Sequence, residues 1–435
     1  MIPVWAEGEQ PDVSAWAVSD LNEGEKYGIY PMEWYYDQFK GQITEAKLDA
    51  LVEKVDAKID FVADKVDFQP VKETGKLDRN DVLTRLYNVL ASYNLAGKGD
   101  VVTFMQTEGI VNGTGNGLFL DKSCNSEQAV IFAVRTVQHA YDALEAGGKG
   151  VFWKIEKNGN TVYLLGSIHI GNSSVYPLND MVTDAFKASE ALYVEADILN
   201  SQEGLNYFMA KGQYADGTTI KDHVSAAQYD KIVKACEVFE ITPDQIATFK
   251  PWFLANQLSS LSMMMGADPS APASDANLGV DVYFTLNALL SQKPIVELEG
   301  IPFQADMFDG LSLETQTTYL EGILDSILTP VAEDQDTSAD LLVEWLEYWR
   351  SGDLESFQTS FQNASTDENA GDSESEFSKM LFGKRDINMA ARIDEMLKAE
   401  GNHTYFVVVG AGHYMNKNGV IDLLKEKGYE VEWMY

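Results

Sequence analysis

The 435-residue chain is short of four things: cysteine, histidine, basic residues and long apolar runs. Its two cysteines, Cys124 and Cys236, form no spaced motif, so a disulfide framework and a cysteine-rich metal site are both excluded. Two free thiols and one disulfide remain open. No stretch nears the roughly 18–20 continuous apolar residues of a membrane helix, so no transmembrane segment is expected. The opening "MIPVWAEGEQ" has neither the basic region nor the apolar core of a signal peptide. Lys and Arg number 32 against 68 Asp and Glu, a formal net charge of −36. A surface that acidic repels phosphate backbones and argues against nucleic-acid binding. The hydrophobic content, 45%, still suffices for a sizeable core, and the length allows two or three domains.

Residues 1–147 read as an all-α domain. "SAWAVSDLNEGEKYGI" and "DVVTFMQTEGI" each run from a helix into Gly-Ile, at Gly28-Ile29 and Gly109-Ile110. A loop follows, and a second helix opens behind a hydroxyl cap, Thr44 in one case and Ser126 in the other. "KLDRNDVLTRLYNVLASYNL" between them reads as a helix of matching character, a worn middle copy.

From 148 to 435 the texture changes to alternating strands and helices, which predicts an α/β domain with a mixed, partly parallel sheet and a large helical portion. "KGVFWKIEKNGNTVYLLG" reads as a hairpin turning at Asn158-Gly159. "ALYVEAD", "KPIVELEG", "HTYFVVVG" and "YEVEWMY" read as strands. A long helical stretch over 202–265 breaks at Pro251. "MGADPSAPASDANLG" reads as a loop and "NASTDENAGDSESE" as a mobile acidic insert.

The five histidines hold the main clue to function. "TVYLLGSIHIGNSS" and "YFVVVGAGHYMNKNG" share one pattern: an apolar strand, a glycine, two residues and a histidine. The glycines are Gly166 and Gly410, the histidines His169 and His413. Two more strands end in carboxylates, at Glu195 with Asp197 and at Glu297 with Glu299. Ligands of open α/β sheets bind beyond the carboxyl ends of the strands, so neighbouring strands would gather these groups on one edge. Two imidazoles with one or two carboxylates can hold a divalent metal such as Mn, Co or Zn and leave a position for water. A metal-free site, in which histidine or glutamate activates water directly, fits the same residues. His139, His223 and His403 lie in contexts that suggest structural or incidental roles.

Segment 150–435 resembles the TraB/GumN family, to which the Tiki-type metalloproteases are related. The resemblance rests on "YLLGSIHIGNSSVYPL", "LYVEAD", "DGTTIKDHVS", "FKPWFLANQL", "GVDVYF", "KPIVELEGIPFQADMF", "RDINMAARI" and "VVVGAGHYMNKNGVIDLLKEKGYEVE". It implies a metal-dependent peptidase with His169, His413 and Glu195 as catalytic and metal-binding groups. Arg385 occupies a basic position suited to a substrate carboxylate or oxyanion, with an internal salt bridge as the alternative. Tyr414 and Asn416 would orient substrate, and Gly166, Gly410, Asp197, Asp281 and Glu299 would support the site from behind.

The N-terminal pattern over 20–143 resembles surface-layer homology repeats, although "ITEAK" and "CNSEQ" lack the arginine usual in them. It implies an extracellular, cell-wall-associated protein that binds cell-wall polysaccharide. The leading expectation is therefore a cell-surface hydrolase acting on peptides. The alternatives are a non-catalytic peptide- or pheromone-binding protein, or a metal-free His/Glu esterase or amidase.

Overall fold

The structure, a computed structural model, describes residues 11–97, 99–113, 117–199, 201–265, 278–329, 338–365 and 375–435. The loop expected at 265–279 and the acidic insert expected at 363–376 fall largely outside them. Two compact units form. One comprises Lys149–Gly171 and Asp184–Tyr435; the other comprises the described residues up to Gly148 together with Asn172–Thr183.

The second unit is built on five α-helices: α1 (Val18–Tyr27), α2 (Glu45–Asp60), α3 (Arg79–Ser92), α4 (Val101–Thr107) and α5 (Ser126–Ala143). Its core joins Leu48, Leu51 and Val55 of α2, Leu86 and Leu90 of α3, and Val130, Val134 and Val137 of α5. Gly28 and Gly109, which follow α1 and α4, both take the left-handed φ near 70° that glycine tolerates (67° and 69°). Thr44 caps α2 by accepting from the Lys47 amide. At α5 the cap is Asn125, not Ser126. Asn125 has the extended backbone of a cap and exchanges hydrogen bonds with Gln128, which moves Ser126 into the first turn.

The larger unit holds a six-stranded sheet. Its strands are β1 (Val151–Lys157), β2 (Asn160–Ser167), β3 (Ala191–Val194), β4 (Ile295–Glu297), β5 (Thr404–Gly410) and β6 (Glu432–Trp433), in the spatial order β4-β3-β5-β2-β1-β6. β1 and β2 form the expected hairpin, with positive φ at Asn158 and Gly159. β2, β5, β3 and β4 are mutually parallel, while β1 pairs antiparallel with β2 and β6. The four strands that end in histidine or carboxylate are thus neighbours pointing one way. Phe152, Leu164, Leu165, Phe406, Val407 and Val408 make the sheet core. Helix Lys384–Lys398 packs on β1 and β2, and helix Val280–Leu290 on β3.

The helical stretch expected over 202–265 divides into Gln202–Lys211, Ile220–His223, Ala226–Val238, Pro243–Ile246 and Pro251–Met265, with Pro251 opening the last. Proline has no amide to lose at a first helical position. A second core joins Ile232 and Cys236 to Leu254, Leu258, Leu320 and Leu324. Cys124 and Cys236 are both free and buried. Burial pushes their thiols up to about 12 and about 11, which keeps them in the unreactive thiol form.

Gly166 lies where β2 meets the segment that carries His413. A Cβ there would stand 2.4 Å from Val151 Cγ2 and 2.9 Å from Ala411 Cα, and its carbonyl accepts from Trp349 Nε1 at 2.7 Å. Gly166→Ala is expected to destabilise the protein by about 1–3 kcal/mol, the usual cost of overpacking. Urea unfolding measures this, and an unchanged midpoint would contradict the packing described.

Candidate functional site

β5 ends at Gly410, and the chain turns at once into the short helix Ala411–Met415, which carries His413. β3 ends one residue before Glu195, and β2 ends two residues before His169. The Gly410 amide donates to Glu195 Oε1 at 2.6 Å. A Cβ built on Gly410 would lie 3.3 Å from Glu195 Oε1, 3.6 Å from His169 Nε2 and 3.9 Å from His413 Cδ2. His413 Nε2 itself stands 3.9 Å from Glu195 Oε1. Three residues far apart in sequence therefore meet over one glycine, and the missing side chain at Gly410 leaves the space between them.

Each histidine is backed by a carboxylate. His413 Nδ1 lies 2.6 Å from Asp386 Oδ1; both residues are buried, and the Phe382 ring packs edge-on against the imidazole at 5.5 Å. His169 Nδ1 lies 2.9 Å from Asp281 Oδ2. Asp281 stands in the first turn of helix Val280–Leu290, whose start is tied to the histidine segment by the Val280 amide donating to the Ile168 carbonyl at 3.0 Å. An imidazole whose Nδ1–H is held by a carboxylate offers Nε2 to a ligand once any proton there has left. That placing of the Nδ1 proton follows from the hydrogen bonds.

Electrostatics separates the two kinds of group. The Asp281 charge, and the hydrogen bond to it, push His169 up to about 9. Burial raises the Glu195 carboxyl, but His413, Arg385, His169 and the Gly410 amide more than offset it and hold the group down to about 2. Glu195 is a fixed anion throughout the physiological range.

Arg385 is buried, and its guanidinium faces the chain's own carboxylates. Nε donates to Glu299 Oε1 at 2.8 Å, and Nη2 donates to Glu299 Oε2 at 2.7 Å and to Glu195 Oε2 at 2.5 Å. Nη1 donates to the Leu381 carbonyl at 3.0 Å. Of the two roles open for Arg385, the geometry is that of the internal salt bridge, which positions Glu195. Glu299 anchors Arg385, and Asp281 holds His169.

Tyr414, expected to orient substrate, is buried with its ring 5.3 Å from that of Trp153. Asn416 closes the turn after His413, its amide donating to the Gly412 carbonyl at 2.9 Å. Asp197 shapes the loop after β3, its amide donating to Glu297 Oε1 at 2.8 Å. His223 stacks on Tyr214, His403 pairs with Glu190, and His139 lies beside Glu108.

Two contributors escaped the sequence reading. Asp386, the partner of His413, stands next to Arg385 in "KRDINMA", where the charged pair opening a helix was the available clue. Gln304 reaches Glu195 Oε2 at 3.5 Å, and nothing in its local sequence marks it.

Among the described residues no three His, Cys, Asp or Glu side chains stand as a formed metal cluster. The donor chemistry nevertheless suits a divalent ion: two imidazoles with Nδ1 on carboxylates, beside an ionised glutamate.

Because the chain has five histidines, their ring signals are separable in a ¹³C-histidine NMR titration of metal-free protein. His169 is expected to keep its proton to about pH 9, and Asp281→Asn to return it toward the ordinary 6.5. The sign follows. The folded pKa lies above the unfolded one, so the stability His169 contributes is complete below about 6.5 and is lost as pH rises through 9. A midpoint near 6.5 in wild type would contradict the pairing with Asp281.

The family model for the TraB/PrgY/gumN family matches residues 151–433. A metalloprotease TIKI homolog of the sponge Amphimedon queenslandica is 24% identical over 320 residues, 64% of this chain and 60% of that protein. Zebrafish metalloprotease TIKI2 is 23% identical over 308 residues, 62% of this chain and 58% of the other. The uncharacterized protein YbaP of Escherichia coli K12 is 25% identical over 265 residues, 60% of this chain and 87% of that protein. The chain thus spans about three-fifths of the length of the metalloprotease relatives. No solved structure matches it. With its two Gly-x-x-His strand ends inside the matched region, the chain belongs to the TraB/PrgY/gumN family.

Proposed function

We propose that this protein is a hydrolase that cleaves peptides with a divalent metal held by His169, His413 and Glu195. The observation that carries this reading is the meeting of His169, Glu195 and His413 over Gly410, with a carboxylate behind each imidazole. The names of the metalloprotease relatives support it. So does charge: Glu195 and Glu299 face Arg385, Asp281 faces His169 and Asp386 faces His413, four carboxylates around one guanidinium and two imidazoles. That excess suits a divalent ion.

A divalent ion at such a site polarises a carbonyl and makes a bound water a nucleophile near neutral pH. The chain's own residues prepare the place. Asp281 and Asp386 accept the Nδ1 protons and so leave Nε2 of each ring as the nitrogen a metal would take, His169 giving up its Nε2 proton in the exchange. Arg385 and the Gly410 amide keep Glu195 ionised and fix its carboxylate plane. Phe382 covers the imidazole of His413.

A metal-free version of the same hydrolase draws on the pairing of His169 with Asp281. That carboxylate pushes the imidazole up to about 9, a setting in which it can give a proton to a departing group. Cleavage that survives chelation would favour it. For the helices before residue 148, the resemblance to surface-layer homology repeats supports an extracellular role tethered to cell-wall polysaccharide, tested by pull-down with purified cell walls.

Calorimetric titration of Mn²⁺, Co²⁺ and Zn²⁺ into metal-stripped protein tests the main reading. Wild type is expected to bind one ion, His169→Ala and His413→Ala none. Asp386→Asn, which leaves His413 in place but removes the charge behind its Nδ1, is expected to weaken affinity about 10–100-fold. Cleavage of a peptide library should fall in parallel. Absence of metal binding in folded wild type would end the metal-dependent reading.

A further inference from the structure

Helix Ile301–Asp309 starts directly after Gly300, which turns the chain there with a left-handed φ of 89°. The amides of Glu299 and Gly300 donate to the Glu195 carbonyl at 3.0 and 2.9 Å, so the start of this helix is tied to the backbone of the central glutamate. Ile301 and Ala305 are buried, four residues apart on one helix face, and a Cβ on Gly204 would lie 3.0 Å from Ile301 Cβ. Gln304 stands beside that anchored face. It is half-buried, and its Nε2 lies 3.5 Å from Glu195 Oε2. The other oxygen of the same carboxylate, Oε1, is the one that faces Gly410, His169 and His413.

Glu195 does not depend on this contact. Its Oε2 already accepts from Arg385 Nη2 at 2.5 Å and its Oε1 from the Gly410 amide at 2.6 Å, both far shorter. A bond of 3.5 Å exceeds the roughly 2.7–3.2 Å usual for N–H···O and is weak. A carboxamide carries two N–H donors and one acceptor, and no further hydrogen bond joins this one to a described residue. The remaining donors at this edge are committed: Arg385 to Glu195 and Glu299, and each Nδ1 to its own carboxylate. The hydroxyls of Ser167 and Tyr414 are sealed from contact. Gln304 therefore brings to the cluster a neutral donor that an entering molecule can reach.

We propose that Gln304 contacts the substrate, an Nε2–H donating to the carbonyl oxygen of the peptide bond that is hydrolysed. This rests on the peptide-hydrolase reading above. As water adds to the carbonyl carbon, a C–O bond forms and the C=O π pair moves onto the oxygen. The negative charge gained there strengthens the hydrogen bond from Gln304. The pair then returns to C=O, the C–N bond breaks with its electrons on nitrogen, and one proton of the water ends on the departing amine. A neutral amide suits the position, because a second cation there would compete with Arg385 for Glu195.

The test uses the full chain, loaded with Co²⁺. A casein digest read by mass spectrometry finds the bonds that wild type cuts, and a fluorogenic peptide containing one of them gives kcat and KM. Gln304→Met keeps the length of the side chain and removes the donor. It is expected to lower kcat about 100-fold with little change in KM, and Gln304→Asn to recover part of the loss. A phosphinic peptide of the same sequence, tetrahedral at the position of the cut bond, should lose affinity for Gln304→Met by about the same factor. Co²⁺ affinity and the urea midpoint should stay at their wild-type values.

Three results overturn the proposal alone: Gln304→Met with wild-type kcat, a loss of kcat with the phosphinic peptide bound as tightly as before, or a loss accompanied by weakened Co²⁺ binding or a lower unfolding midpoint. The last would make Gln304 a residue that acts through Glu195. Wild type that cuts nothing overturns the hydrolase reading itself and the Gln304 role with it.

Discussion

Glu195 and Glu299 are forced side by side by backbone alone. β3 and β4 run parallel with Val194 opposite Glu297, and the amides of Glu299 and Gly300 both donate to the Glu195 carbonyl. Two carboxylates so close would repel one another in a partly dry setting unless a cation stood between them. Arg385 supplies it, taking Glu299 through Nε and Nη2 and Glu195 through Nη2. A buried ion pair gains little over an apolar substitute, yet removing one partner typically costs about 3–5 kcal/mol because the other charge is stranded. The guanidinium is thus the constraint that fixes where Glu195 points, and both histidines are arranged around that oxygen.

The same helix does two tasks in consecutive residues. Arg385 grips Glu195 while Asp386 holds His413, so the opening turn of Lys384–Lys398 positions an anion and an imidazole together. His169 is oriented independently, from the first turn of helix Val280–Leu290. The two histidines differ accordingly. His413 is buried, while the His169 side chain is 63% exposed, which leaves it as the group that an entering molecule meets first. Glycine completes the arrangement from below: Gly166 lets the His413 segment approach β2, and Gly410 leaves the centre open.

Much of this was legible in the sequence. Strand-end residues are short-range features, set by where an apolar run stops, and so the Gly-x-x-His pattern located His169 and His413 directly. Their convergence required β2, β5, β3 and β4 to be neighbours, and the alternation of strand and helix made that the natural arrangement of a parallel sheet. What stayed hidden depends on distance in space. Whether Arg385 would face substrate or Glu299 could not be read from "KRDINMA", because the deciding partner lies 86 residues away. Asp386 was passed over for the same reason, and the burial of Tyr414 follows from Trp153 on a distant strand. The cap at Asn125 was missed locally: two adjacent residues are both good caps, and the glutamine three residues on chose between them.

The central claim is that His169 and His413 serve one centre. Crystals of the protein soaked in Co²⁺ and measured at the cobalt absorption edge test it most directly. The account predicts a single anomalous peak with Nε2 of both histidines about 2.0–2.2 Å away, as nitrogen ligands of such an ion require. A peak on one histidine alone, or two peaks with the imidazoles turned apart, would contradict it.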